Sequence, residues 1–207
     1  MSRRWCRSLS RPRMFPTFTD PPQDLPDLGL DGLRLRPLQE ADAVGWHAYL
    51  RDDAVTRHTS WQLDGPDTLL RLIRGYGQPS ESHSMRLAIA MADGSLAGTV
   101  GLNEISLAAR RAEIAYDVAP SYWRRGIATR ACAAVTAWAL STLGFARIQA
   151  TVLDTNQASA AVLERCGFQR EGLLRHYRLV RGEPRNFWMY ARVGLAHDRR
   201  PTAIRKP

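Results

Sequence analysis

The chain has 207 residues, 44% of them apolar, and a formal net charge of +9. One sizeable core is the expectation from that length, and no apolar run reaches the roughly 18 residues that a membrane-spanning helix needs. The charge alone would suit a nucleic-acid binder, but of 29 basic side chains 5 lie in residues 1–13 and 4 in residues 199–207, leaving 20 in residues 14–198 against all 20 acidic ones. A folded reader of nucleic acid carries its basic face on the domain itself, so nucleic acid is expected to bind only weakly here, through the tails.

In chain order, residues 1–30 mix Arg, Ser and Pro and read as an extension without fixed structure. A single domain is expected over residues 31–195, followed by a basic tail at 196–207. Leu33–Pro37 alternates as a short strand. Residues 40–51 and 66–76 read as helices, the second with Asp64 or Gly65 at its start and Pro66 in its first turn. Met85–Met91 and Leu96–Leu102 alternate as a hairpin around Ala92-Asp93-Gly94. Ala112–Val118 is the next strand, ended before Pro120, which cannot donate to a ladder. A helix follows from Gly126 to about residue 143, with Ile127, Ala131, Val135 and Trp138 on one stripe. Residues 146–153 form a strand, and Gln157–Cys166 a helix with Asn156 as its N-cap and Gly167 as its terminator. Two last strands, about residues 168–180 and 185–193, pair around Arg181-Gly182-Glu183-Pro184. This order predicts an α/β fold with a mixed sheet and one crossover helix.

The stretch from Arg110 to Ala128 carries the most information. Between its strand and its helix stand two arginines and a glycine, and the N–H groups at the helix start have no intrahelical acceptor. They lie at the positive end of the helix dipole, so the turn is a ready anion site, with mobile charge from Arg124 and Arg125. Gly126 adds no Cβ where a phosphate would approach. The better-known phosphate loops, G-x-x-x-x-G-K-[ST] and G-x-G-x-x-G, do not occur.

These residues resemble the signature of the GNAT superfamily of acetyl-coenzyme A-dependent N-acetyltransferases, [Q/R]-x-x-G-x-[G/A] after a strand. Arg125, Gly126, Ile127 and Ala128 match, and Arg124 is typical, whereas Trp123 departs from the first position. The pair Tyr122-Trp123 is similar to the RimJ/RimL-like branch. A second element, Asp154-Thr155-Asn156-Gln157-Ala158-Ser159 through Gly167-Phe168, resembles the family's N-x-x-[AS]…GF. The resemblance covers about residues 33–193. It implies a GNAT fold, with a mixed central sheet splayed at the acetyl-coenzyme A site and about four flanking helices. It also implies that Arg124–Thr129 cradle the pyrophosphate, that Asp117 and Val118 offer backbone groups to the pantetheine arm, and that Asn156 bonds the same arm.

For the reaction, the resemblance places a catalytic glutamate at Glu113, in Ala112-Glu113-Ile114-Ala115-Tyr116. A carboxylate in a partly dry cleft can accept a proton from the amine. The alternative is a structural ion pair with Arg110, Arg111 or Arg86. Where the family places a tyrosine as acid toward the leaving thiolate, this chain has Leu163; Ser159 is the nearest substitute, unless it only caps its helix. The acceptor is expected to be a protein N-terminal α-amine, by analogy with the RimJ/RimL-like branch. A small-molecule amine such as a polyamine or aminoglycoside is the alternative, which Asp52, Asp53 and Asp64 keep open, and a non-catalytic acyl-coenzyme A binder is the third reading. Trp46, Trp61 and Tyr76 are candidates for the acceptor pocket, with core packing as the rival role. Homodimerisation stays open. Cys6, Cys132 and Cys166 show no metal spacing and no even framework, and the five histidines no ligand spacing, so no metal site is expected and a reducing cytoplasm suits the chain. Cys166 reads as a buried thiol rather than a nucleophile.

Overall fold

A computed structural model describes residues 24–60, 64–76 and 84–194. Its elements run β1 (Leu33–Pro37), α1 (Asp42–Leu50), α2 (Asp53–Thr56), α3 (Pro66–Gly75), β2 (Met85–Met91), β3 (Leu96–Ser106), β4 (Arg111–Val118), a 3-10 turn (Pro120–Tyr122), α4 (Ile127–Ser141), β5 (Arg147–Leu153), α5 (Gln157–Arg165), β6 (Gln169–Val180) and β7 (Glu183–Val193). The strands form one sheet in the order β1-β2-β3-β4-β5-β7-β6. Every pairing is antiparallel except β4 with β5, which is parallel and joined by the crossover helix α4.

The stripe on α4 packs as its spacing predicts: Ile127, Ala131, Val135 and Trp138 are all buried against the sheet, with Phe145, Ile148 and Tyr190 in the same core. Because side chains alternate along a strand, Met85, Leu87 and Ile89 of β2 and Ile114 and Val118 of β4 face this core, while their neighbours face the other way. On that other face α1 and α3 close a smaller cluster of Ala43, Trp46, Leu50, Leu69 and Ile73. Helix α5 ends as its sequence predicts. Gly167 has φ +79°, Phe168 N–H donates to the Leu163 carbonyl at 3.0 Å and Gly167 N–H to that of Glu164 at 3.0 Å.

Several expectations need correction. Helix α1 begins at Asp42 rather than Glu40, because the Asp42 carboxylate accepts from Gln39 N–H at 2.8 Å and from both Arg36 nitrogens at 2.7 Å, which holds residues 38–41 in a turn. A four-residue helix, α2, was not expected; Asp52 caps it by accepting from Ala54 N–H at 2.8 Å. With it the described residues hold five α-helices, in keeping with about four flanking ones and this short addition. Strand β3 passes Leu102 and reaches Ser106 through an irregularity after Asn103. Strand β7 takes in Pro184, which lies beyond the last β5 partner at Phe187, so no ladder needs its missing N–H on that side. The folded body also begins before residue 31: Leu28 is 3% exposed in the core, with Leu25 and Leu30 packed against it. Three apolar side chains in a Pro-rich stretch gave no periodicity to read.

Candidate active site

Strands β4 and β5 pair only from Arg111–Arg147 to Glu113–Gln149. Beyond that point they diverge, and a cavity of about 170 Å³ opens between them. It is lined from β4 by Glu113 to Asp117, from β5 by Ala150 to Val152, from α5 by Asn156, Ser159 and Leu163, and from the opposite face by His58, Arg178 and Phe187. A splayed parallel pair is one place in this fold where both faces of the sheet reach a single space.

Glu113 sits at the root of the split and is 4% exposed. Its Oε1 accepts from Thr151 Oγ1 at 2.8 Å and from Arg178 Nη2 at 3.4 Å; Arg178 also reaches Glu104 at 3.1 Å. The other oxygen, Oε2, is buried with no hydrogen-bond partner among the described residues. Burial pushes the carboxyl above its ordinary value, opposed by Arg178 and the Thr151 hydroxyl. None of the three arginines considered from sequence is its partner. Arg86 pairs with Asp117, and Arg110 donates to the Gly144 carbonyl at 2.9 Å from Nε.

Asp117 holds a different position from the one expected. Its Oδ2 accepts from Thr99 Oγ1 at 2.6 Å and Arg86 Nη1 at 3.2 Å, and its Oδ1 from Trp46 Nε1 at 3.2 Å and the Tyr49 hydroxyl. Four donors from three elements converge on this carboxylate, so it ties α1 to β2 and β3. Trp46 is therefore a core residue on this network, and Tyr76 packs at the edge of the same cluster; Trp61 lies outside the described residues. The main chain follows suit. Ala119 N–H donates to the Ala97 carbonyl, and the alternation of an antiparallel ladder then turns the backbone groups of Asp117 toward β3 and those of Tyr116 and Val118 toward the gap. The Val118 carbonyl accepts from the Trp123 indole N–H at 2.6 Å.

The loop after β4 leads into the helix start expected to take an anion. Arg124 has φ +63° and Gly126 φ +75°, and between them the chain reverses into α4. No side chain caps this terminus and its first turn holds no acidic residue. The first bond into the helix runs from Arg130 N–H to the Gly126 carbonyl at 3.0 Å, which leaves the N–H groups of Ile127, Ala128 and Thr129 without helical acceptors. A Cβ added at Gly126 would meet nothing within 4 Å, so the approach is open. Arg124 and Arg125 are exposed, the latter with its guanidinium 5.4 Å from the Tyr122 ring. An uncapped helix start with two exposed arginines fits a pyrophosphate.

On α5, Asn156 Oδ1 accepts from Ser159 N–H at 3.1 Å, so its capping role is realised, while both residues also line the cavity. Leu163 is fully buried where a phenol would be expected. Two residues that were not singled out share the cavity. Tyr116 places its hydroxyl 3.0 Å from Ser159 Oγ. His58 has a buried Nδ1 with no partner among the described residues, and burial, then Arg57, Arg181 and Arg185, hold its imidazole below the ordinary value. Cys132 and Cys166 are buried free thiols, with Cys166 Sγ 3.3 Å from the Thr129 carbonyl. Among the described residues no cluster of His, Cys, Asp or Glu could hold a metal ion, and no helix is long and apolar enough to cross a membrane.

Residues 32–169 match a family model described as an acetyltransferase (GNAT) domain. An uncharacterized N-acetyltransferase, YoaA of Bacillus subtilis strain 168, is 33% identical over 81% of this chain and 97% of its own length. Spermidine N(1)-acetyltransferase of Escherichia coli K12 is 29% identical over 74% and 82%. Among solved structures, Mycobacterium smegmatis RimJ in complex with CoA-disulfide superposes with a TM-score of 0.70 at 27% identity, covering 80% of this chain and 84% of that one. Spermidine N-acetyltransferase from Vibrio cholerae, in complex with CoA and spermine, shares the fold with a TM-score of 0.71 at 22% identity, over 80% and 97%.

Proposed function

The chain belongs to the GNAT family of N-acetyltransferases and takes its acetyl group from acetyl-coenzyme A, and we propose that its acceptor is the α-amine of a protein N-terminus. The coenzyme supplies an acetyl group already activated as a thioester. The residues that would hold it are Arg124, Arg125 and the N–H groups of Gly126 to Thr129 for the pyrophosphate, with the open edge of β4 at Val118 and the Asn156 side chain along the arm. What the protein adds is position and proton management in a cleft with a buried carboxyl at its root.

An amine attacks only when neutral. An α-amine has a reference value near 8 and a lysine or polyamine amine one near 10, so the former needs far less help. Glu113 Oε2 is the group for that task, being buried, without a hydrogen-bond partner among the described residues and at the junction of the two faces. Its raised value brings it closer to the amine's, which favours proton acceptance.

The observation that carries the acceptor assignment is the pairing of charge around the cavity. A polycation needs carboxylates in surplus. Here Arg178 is shared by Glu113 and Glu104, Arg181 pairs with Asp53 and Arg185 lies 3.9 Å from Asp154, so that with Arg57 four arginines stand against four carboxylates. Arg57, Arg181 and Arg185 also act together on His58. Such a mouth suits an acceptor with one positive charge followed by neutral or acidic groups. The likeness to a RimJ structure supports the same reading, and the curated spermidine enzyme among the relatives favours the small-amine alternative. A panel of peptides with free N-termini, set against spermidine and an aminoglycoside, tests it by release of coenzyme A thiol. Peptides should turn over well above the polyamine. Efficient turnover of spermidine with inert peptides would reverse the assignment.

A further inference from the structure

The phenol that the sequence lacks at position 163 enters the same space from β4. Tyr116 lies on the face of β4 that looks toward α4 and α5, as the alternation from Ile114 and Val118 requires. Its hydroxyl lies 3.0 Å from Ser159 Oγ, a contact in which either oxygen can donate, and also donates toward the Ser159 carbonyl at the longer 3.3 Å, and both residues line the cavity. Ser159 is fixed from a second side, since its N–H donates to Asn156 Oδ1. A serine hydroxyl has one hydrogen and two lone pairs. When a neighbour donates to one lone pair, the serine's own hydrogen is released to point elsewhere.

We propose that Tyr116 is the positioning residue for Ser159: the phenol donates to Ser159 Oγ and so directs the serine O–H into the gap, toward the coenzyme sulfur. The proposal rests on the reading of Ser159 as the residue that faces the leaving group. Burial pushes the Tyr116 hydroxyl far above its ordinary value, so it stays protonated and serves as a donor across the working pH range. The pair therefore stabilises negative charge on sulfur without giving up a proton. As the acetyl group passes to nitrogen, the C–S electron pair remains on sulfur. The two protons lost by the ammonium leave through Glu113 to water, and the thiolate takes one back from water.

Two measurements test this on the intact chain with Tyr116→Phe, Ser159→Ala and the double variant. In the first, the ionisation of bound coenzyme A thiol is followed by its ultraviolet absorbance. Loss of a donor to sulfur should raise the pH of that transition by about half to one unit in each single variant, with no further rise in the double variant. In the second, kcat should fall about tenfold in each variant, and no further in the double, while coenzyme affinity by calorimetry is unchanged. Wild-type values in Tyr116→Phe beside a shifted Ser159→Ala would overturn the role of Tyr116 alone. So would effects that multiply in the double variant. Wild-type values in Ser159→Ala would overturn the reading of Ser159 with it, and unchanged acceptor preference in that case would leave the acetyltransferase assignment standing.

Discussion

Thr151 donates its hydroxyl to Glu113 at 2.8 Å across the point where β4 and β5 cease to pair. The bond replaces the ladder that the splay has removed, and it links the one buried acid of the cavity to the strand that moves away from it. A hydrogen bond of this kind favours the ionised carboxylate, while burial favours the neutral acid.

That balance gives a signed prediction. Glu113→Gln should lower kcat about a hundredfold, leave coenzyme affinity unchanged and abolish the acid limb of the kcat profile. Thr151→Val should retain the limb but move it to higher pH, since the carboxylate loses a donor that holds its value down. A limb that persists in Glu113→Gln would assign the titration to another group and return Glu113 to a structural ion pair with Arg178.

At Gly126 two substitutions separate backbone strain from charge. The φ of +75° disfavours any side chain, although space is open, so Gly126→Ala should cost about 1 kcal/mol of stability and keep most of its coenzyme affinity. Gly126→Asp places a carboxylate where it can cap α4, which offsets the strain but occupies the anion site. Thermal melts of the two should be similar, and calorimetry should show coenzyme binding weakened at least tenfold only in the aspartate variant. Equal affinities in the two would remove the cradle from the coenzyme site.

Residues before β1 bear on stability. Leu28 is buried among the core side chains, so Leu28→Ala should destabilise the chain by about 2–4 kcal/mol. A chain trimmed to residues 24–194 should fold and bind coenzyme, and should lose most of its retention on a cation-exchange column. One beginning at residue 31 should melt lower. If both trimmed chains melt with the full one, the packing of Leu28 contributes little.

The local parts of this architecture were legible in the sequence. The stripe of α4, the Asn156 and Gly167 boundaries of α5 and the open helix start at Gly126 each depend on residues within one or two turns of each other. The partners of Glu113 were not legible. Thr151 and Arg178 lie 38 and 65 residues away: Thr151 comes from β5, the parallel neighbour of β4, and Arg178 from β6, which the insertion of β7 sets beyond β5 in the sheet. Local patterning carries no record of that insertion. For the same reason the sequence did not single out Tyr116, and it offered Asp117 for its backbone groups rather than as the anchor of α1.

In the proposed site, strand β4 would separate the demands of two substrates by the parity of its residue numbers. Glu113, Ala115 and Asp117 face the side where α1, α3 and Arg178 gather, and Ile114, Tyr116 and Val118 face α4 and α5. In the proposed site only position 115 can therefore change with the amine, since Glu113 and Asp117 are held by their bonds, while even positions keep the coenzyme's surroundings intact. A one-residue slip in this strand would exchange the two sets at once and destroy both sites. The irregular pairing between Asn103 and Ser106 lies just before the turn into β4. Insertions that alter substrate choice should accumulate in the segments between α1 and β2, where length is independent of this parity, and be purged from residues 103–111.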